Sequence, residues 1–251
     1  MIYGMYVSAA GAMANSYRQD VVANNLANVD TVSFKRDLAL MRGRRTEAAA
    51  SGPSCFSNRL LEGIGGGGAA LPTYTDFSPA ALEITGKDFD LALDGKGFFQ
   101  VLKGTQLQFT RDGRFALNDE DRLVTLTEHL PVLDESGNPI VINRALDFNV
   151  NQAGMINQAG QAVARLGIVD FDDTATLRKQ GDNLYVNEGG GVPRPVAAVV
   201  LQKALEGSGV NPVRELTEMI KIQRLLETNL NMLQIQDQTL GLAVNRLARI
   251  S

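Results

Sequence analysis

The sequence predicts an α+β protein, with long N- and C-terminal helices pairing as a coiled-coil-like helical domain and a central, mainly antiparallel β domain between them. Three observations carry this. A leucine-type ladder repeats every seven residues near the C-terminus, an Ala-rich stretch with one broad apolar stripe opens the chain, and the residues between switch to short alternating runs broken by Gly, Asn and Asp. The expected parts are 1–36 for the N-terminal helix and its following motif, 37–75 for an extended Gly-rich connector, 76–205 for the β domain and 206–251 for the C-terminal helix.

From residue 2 to about 27, Met5, Ala9, Ala12, Met13, Tyr17 and Val21 fall along one stripe, and its small residues permit close helix approach. The helix is expected to end among Asn24, Asn25, Asn28, Asp30 and Thr31, whose side chains compete for backbone hydrogen bonds. Residues 1–14 are apolar and finish in Ala12-Met13-Ala14, which imitates a signal-peptide cleavage site. The first cation is Arg18, so the positive opening of a signal peptide is missing, and retention of this segment as a helix face is expected. The longest obvious apolar run, 196–201, falls far short of the roughly 18 residues that cross a membrane, and no insertion is expected.

The connector carries Ser51-Gly52-Pro53 and the glycines Gly63 and 65–68, and reads as extended or mobile chain. Gly63, Gly65 and Gly68 satisfy G-x-G-x-x-G. No buried strand precedes them and no amphipathic helix opens after them, so linker is the better reading than a dinucleotide site. Arg42, Arg44 and Arg45 read as a solvated loop face. Cys55, the only cysteine, has no partner for an internal disulfide.

In the β region Leu107 and Phe109 alternate with Gln106, Gln108 and Thr110, which predicts one apolar and one wet face. Asp112-Gly113 predicts a hairpin turn with Gly113 at positive φ and a return strand over 114–117. Further turn signals at 118–121 and 136–139 separate runs at 123–126, 140–142 and 163–171, the spacing of an antiparallel sandwich or barrel.

At the C-terminus the ladder runs through Met219, Leu226, Leu233, Leu240 and Leu247, with Ile222, Asn229, Gln236, Ala243 and Ile250 interleaved. No Pro follows Pro212 and Gly241 is the only Gly, so one helix of about 38 residues, roughly 57 Å, is expected. Such a helix outgrows a single domain core, and its natural partner is the N-terminal helix. Leu216, Leu225, Leu230, Ile235 and Leu242 lie off the ladder, which predicts a helix contacted on several sides.

The motif Asn24-Asn25-Leu26-Ala27-Asn28, followed by Thr31 and Phe34-Lys35-Arg36, resembles the opening of the bacterial flagellar rod and hook proteins. The resemblance continues through Asp90-Leu91-Ala92-Leu93-Asp94-Gly95-Lys96-Gly97-Phe98-Phe99 and Phe109-Thr110-Arg111-Asp112-Gly113-Arg114-Phe115. It closes with Ala204-Leu205-Glu206-Gly207-Ser208-Gly209-Val210-Asn211 and Glu218-Met219-Ile220. Val32-Ser33 stands where the family usually has Gly before the Phe, and Gly209 where Asn is common. The resemblance implies a structural rod subunit, exported through the flagellar type III apparatus without cleavage. It would self-assemble through its terminal helices with copies of itself and with other rod and hook axial proteins, in the periplasm-spanning rod that transmits torque from motor to hook. The assembly residues implied are Met5, Ala9, Met13, Asn24, Asn25, Leu26, Asn28, Phe34, Met219, Ile222, Leu226, Asn229, Leu233, Leu240 and Leu247. Within the group, the ending over 245–251 is similar to a proximal rod member and the Asn-rich motif is nearer the distal one; proximal is favoured. A hook subunit usually carries a larger outer domain than 251 residues allow.

Composition narrows the alternatives. A chain of 251 residues with 44% hydrophobic content can bury a sizeable core. A net charge of −4 and a pI near 5.1 supply no basic stripe for nucleic acid. The lone His129 carries no catalytic motif, and one His with one Cys cannot build a zinc site. Asp88, Asp90 and Asp94-Gly95 imitate a calcium loop, but Ala92 and Phe99 occupy positions that should be ligands. No active site and no cofactor are expected. A binding module with a helical oligomerisation arm, or an enzyme seated in the β domain, are the competing classes. A dimer arm needs one seam, and this helix offers apolar residues on more than one face.

Overall fold

The computed structural model describes residues 2–45, 65–196 and 198–247. The described residues divide into two compact units, one drawn from Met1–Ala27, Asp37–Tyr74 and Asn211–Ser251, the other from Asn28–Arg36 and Thr75–Val210. The architecture is α+β, with two long helices and mainly antiparallel sheets.

In the first unit, α1 spans Ile2–Ala27 and α2 spans Pro212–Leu247, 36 residues in one unbroken helix. Asn211 caps α2: its side-chain oxygen accepts the Arg214 N–H at 3.1 Å, and Pro212 takes the first helical position, where an N–H is not needed. The two helices pack antiparallel. The connector returns beside α1 through an antiparallel pair, Met41–Gly43 with Gly68–Ala70. Two α1 hydroxyls hold it, Tyr3 donating to the Gly65 carbonyl at 3.1 Å and Tyr17 to that of Leu71 at 3.2 Å. Gly67 lies at φ +87°, and a Cβ there would stand 3.3 Å from that of Ala10. The described ends of the connector are therefore paired strand, not only extended chain. Cys55 and Gly63 lie outside the described residues.

The second unit is built on a six-stranded antiparallel sheet in the order Leu177–Gly181, Leu184–Asn187, Gln106–Thr110, Phe98–Lys103, Ile168–Asp170, Arg194–Pro195. Side chains alternate across it. Phe98, Val169 and Tyr185 join Phe109, Phe171 and Leu177 in one core, while their neighbours Phe99, Ile168 and Leu184 join Leu91, Leu93, Val101 and Ile156 in another. With a core on each face of the sheet, the wet face expected over 106–110 is corrected at Gln108 and Thr110, while Gln106 is exposed as expected. Gln108 and Thr110 are each only 1% exposed, the first bonded to Gln180 and the second to the Asn183 carbonyl.

The hairpin expected at Asp112-Gly113 is also corrected. Gln106–Thr110 pairs with Phe98–Lys103 through the turn residues Gly104 and Thr105, with Gly104 at φ +64°, while Phe115–Leu117 pairs with Leu123–Thr125. Gly113 is a glycine for another reason: a Cβ there would sit 1.5 Å from the Leu91 carbonyl oxygen. Asp112 instead organises a local turn, accepting from the Arg114 backbone and guanidinium.

The segments by which the chain enters and leaves this unit run together. Ser33 N–H donates to the Glu206 carbonyl at 2.8 Å, Gly209 N–H to that of Phe34 at 2.9 Å, and the Ser208 hydroxyl to that of Asn28 at 2.9 Å. Ser33 adopts φ +57°, the left-handed conformation that glycine tolerates best, and its hydroxyl donates to the Arg111 carbonyl at 2.8 Å.

Candidate assembly interface

Heptad spacing decides which α2 side chains are covered. Met219, Leu226, Asn229, Leu233, Gln236, Leu240 and Ala243 are half-buried, and Glu215 and Ile222 are fully buried. On α1 the covered side chains are Ala12, Val21, Val22 and Asn25, with Met5 and Ala9 half-buried, while Met13 is 76% exposed and stands off this face. Arg18 forms an ion pair with Glu218 at 2.8 Å. The seam residues therefore meet α1 of their own chain. On the rest of α2, Leu216, Leu225, Leu230, Ile235 and Leu242 are 46–63% exposed. Leu247 closes the described helix, and its side chain lies outside the described residues.

The Asn-rich motif divides by position. Asn25 is buried, and its amide clamps one backbone unit from both sides, donating to the Asp37 carbonyl at 2.8 Å and accepting the Asp37 N–H at 3.0 Å. It also reaches Glu215 at 3.4 Å. Asn24 is exposed and Leu26 half-buried. Asn28 accepts from the Thr31 hydroxyl at 3.1 Å, which turns the chain after α1. Phe34 is buried under the Lys179 ammonium, 4.1 Å from the ring centre.

Next to Phe34 lies a buried ionic cluster that sequence reasoning missed. Lys35 Nζ donates to Glu206 Oε1 at 2.7 Å and to the Ser78 carbonyl at 2.8 Å, and the same Glu206 oxygen accepts the Ala80 N–H. Arg111 Nη1 lies 3.7 Å from Glu206 Oε2, and Nη2 donates to the Gly95 carbonyl. All three side chains are 1–2% exposed. Burial holds the Lys35 ammonium below its ordinary pKa, with the Glu206 carboxylate opposing that shift; burial lowers Arg111 as well. The sequence placed Lys35, Arg111 and Glu206 in three separate motifs, and nothing local showed that they meet.

His129 is exposed at φ +54°. Among the described residues no three His, Cys, Asp or Glu side chains gather where a metal could be held. No helix among them is long and apolar enough to cross a membrane.

Over 249 residues the chain is 36% identical to the flagellar basal-body rod protein FlgF of Caulobacter vibrioides, a match covering 98% of both chains. The chain belongs to the flagellar basal-body rod protein family. It is similar also to FlgG of Bacillus subtilis, 30% identical over 264 residues and covering 98% and 99% of the two chains. A second FlgF, from Mesorhizobium japonicum, is 31% identical over 228 residues, covering 89% and 88%. Three family models match this rod-family chain: the flagella basal body rod protein at 5–35, the FlgE/F/G hook protein D1 domain at 92–192, and the FlgEFG basal body rod protein C-terminal region at 201–247. The first and last cover most of α1 and all of α2, and the middle one lies in the β unit. The ionic cluster draws on all three, through Lys35, Arg111 and Glu206.

Proposed function

We propose that this rod-family chain is a FlgF-like proximal rod subunit that assembles through its paired terminal helices with its own copies and with other rod and hook axial proteins, carrying torque from motor to hook. One observation carries this reading: α2 keeps exposed apolar side chains on both sides of its ladder. Its ladder is occupied by α1, and Leu216, Leu225, Leu230, Ile235 and Leu242 remain exposed, an arrangement that suits a helix with neighbours on several sides. A photo-reactive amino acid at Leu230 tests it. Cross-links to copies and to other rod proteins are expected in purified basal bodies, and exclusively uncross-linked chain would overturn the reading.

The FlgG matches support a second reading, a distal rod subunit. Locating a tagged chain along isolated rods separates the two, since motor-proximal label fits the FlgF-like role and hook-proximal label the FlgG-like one.

A further inference from the structure

The α1–α2 seam carries a polar line that a leucine ladder does not need for stability. Along α1, Gly4, Gly11, Arg18 and Asn25 recur every seven residues. Three of them have a polar α2 side chain seated directly opposite. A Cβ on Gly4 would stand 3.0 Å from Gln236 Nε2, a Cβ on Gly11 would stand 3.1 Å from Asn229 Nδ2, and Asn25 Nδ2 donates to Glu215 Oε2 at 3.4 Å. Each step of seven forward along α1 thus meets a step of seven backward along α2. The remaining layer belongs to Ile222, fully buried, and there Arg18 reaches aside to Glu218. A glycine inside a helix is destabilising relative to Ala, and polar groups in an apolar seam weaken it further.

We infer that Glu215, Asn229 and Gln236, seated on Asn25, Gly11 and Gly4, are the register-determining residues of this helical pair, while the leucines supply its stability. An apolar ladder of constant spacing is degenerate, because a slip of one heptad, about 10 Å, sets leucines back among leucines. Beyond the hydrogen bonds that join the segments after α1 and before α2, Ser208 to Asn28 and Gly209 to Phe34, the polar line removes that degeneracy along the helices themselves. A slip in one direction sets Asn25 against Ile222 and carries Glu215 past the end of α1. A slip in the other sets Gly11 against Ile222, leaving a void, and carries Asn25 off the start of α2. This is a property of the single chain, so its test does not depend on the chain's place in the rod.

Spin labels at Tyr6→Cys and Leu216→Cys, in full-length chain carrying Cys55→Ser, report the register as a distance. Both sites are exposed, at 72% and 47%. The parent should show one narrow distance. Asn229→Leu/Gln236→Leu should keep its helix content by circular dichroism and add a second population displaced by about 10 Å. Gly11→Ala keeps both amides and asks Asn229 to yield by a few tenths of an ångström, so it should retain the single distance. An unchanged single distance in the double-leucine variant would overturn the inference, as would a parent with no preferred distance. Loss of helix in the double-leucine variant would overturn it too, because the amides would then be stabilising rather than register-determining.

Discussion

Glu206 lies between two buried cations, and removing its charge leaves both without it. Glu206→Gln should therefore destabilise the β unit by about 3–5 kcal/mol, as expected when one member of a buried ionic cluster is lost. Denaturant unfolding checks the loss, and adding Lys35→Met to the same chain should recover part of it. Lys35 also makes a pH-dependent contribution. Burial lowers its pKa in the folded chain, so between that lowered value and the ordinary lysine value the folded chain has released a proton that the unfolded chain still holds. Stability owed to Lys35 must rise with pH across this window and be least below it. The stability of the parent relative to Lys35→Met should grow as pH is raised through the window, and a falling difference would contradict the assignment. The motif made Lys35 noticeable, but not buried, because Glu206 lies 171 residues away.

At the scale of elements, α2 was legible because its periodicity survives any choice of partner. The buried and half-buried positions follow the ladder from Glu215 to Ala243. Burial grades the seam, and the consequences of a charge follow it. Ile222→Asp, at a fully buried position, should cost about 3–5 kcal/mol, whereas Leu233→Asp, which leaves a half-exposed charge, should cost about 1–3 kcal/mol. Thermal unfolding of the two variants checks the order. Both should be secreted yet fail to enter the rod, and rods of normal length built from Ile222→Asp chain would contradict the seam. The strands were less legible. Alternation marked 106–110 as a strand, but its neighbours on both sides, Phe98–Lys103 and Leu184–Asn187, could not be read from local pattern. The Asp112-Gly113 signal described Gly113 correctly as a backbone device and misjudged its purpose, which is passage beside Leu91.

At the scale of the whole molecule, the helical unit joins the two ends of the chain, and Met5 and Ala9 help cover the α2 seam. A subunit that loses them on export would lose part of that cover. The chain in purified basal bodies should therefore begin at Met1 or Ile2, and its secretion should stop in a strain without the flagellar export gate. N-terminal mass analysis checks the first expectation; mature chains starting after Ala14 would mean that 1–14 is a cleaved signal and not a helix face.

The sequence by itself determined the two helices, the β character of the middle and the family resemblance, because period, turn chemistry and motif order are properties of neighbouring residues. Only the tertiary structure decided that Lys35 is a buried cation, that both faces of the central sheet are covered, and that Asn28–Arg36 belongs with the β unit rather than with α1. It also showed why Gly4 and Gly11 recur at the spacing of Gln236 and Asn229. The physical reason is common to all four. Burial and pairing depend on residues far apart in the chain, and a local pattern specifies which side of an element seeks cover without specifying what covers it.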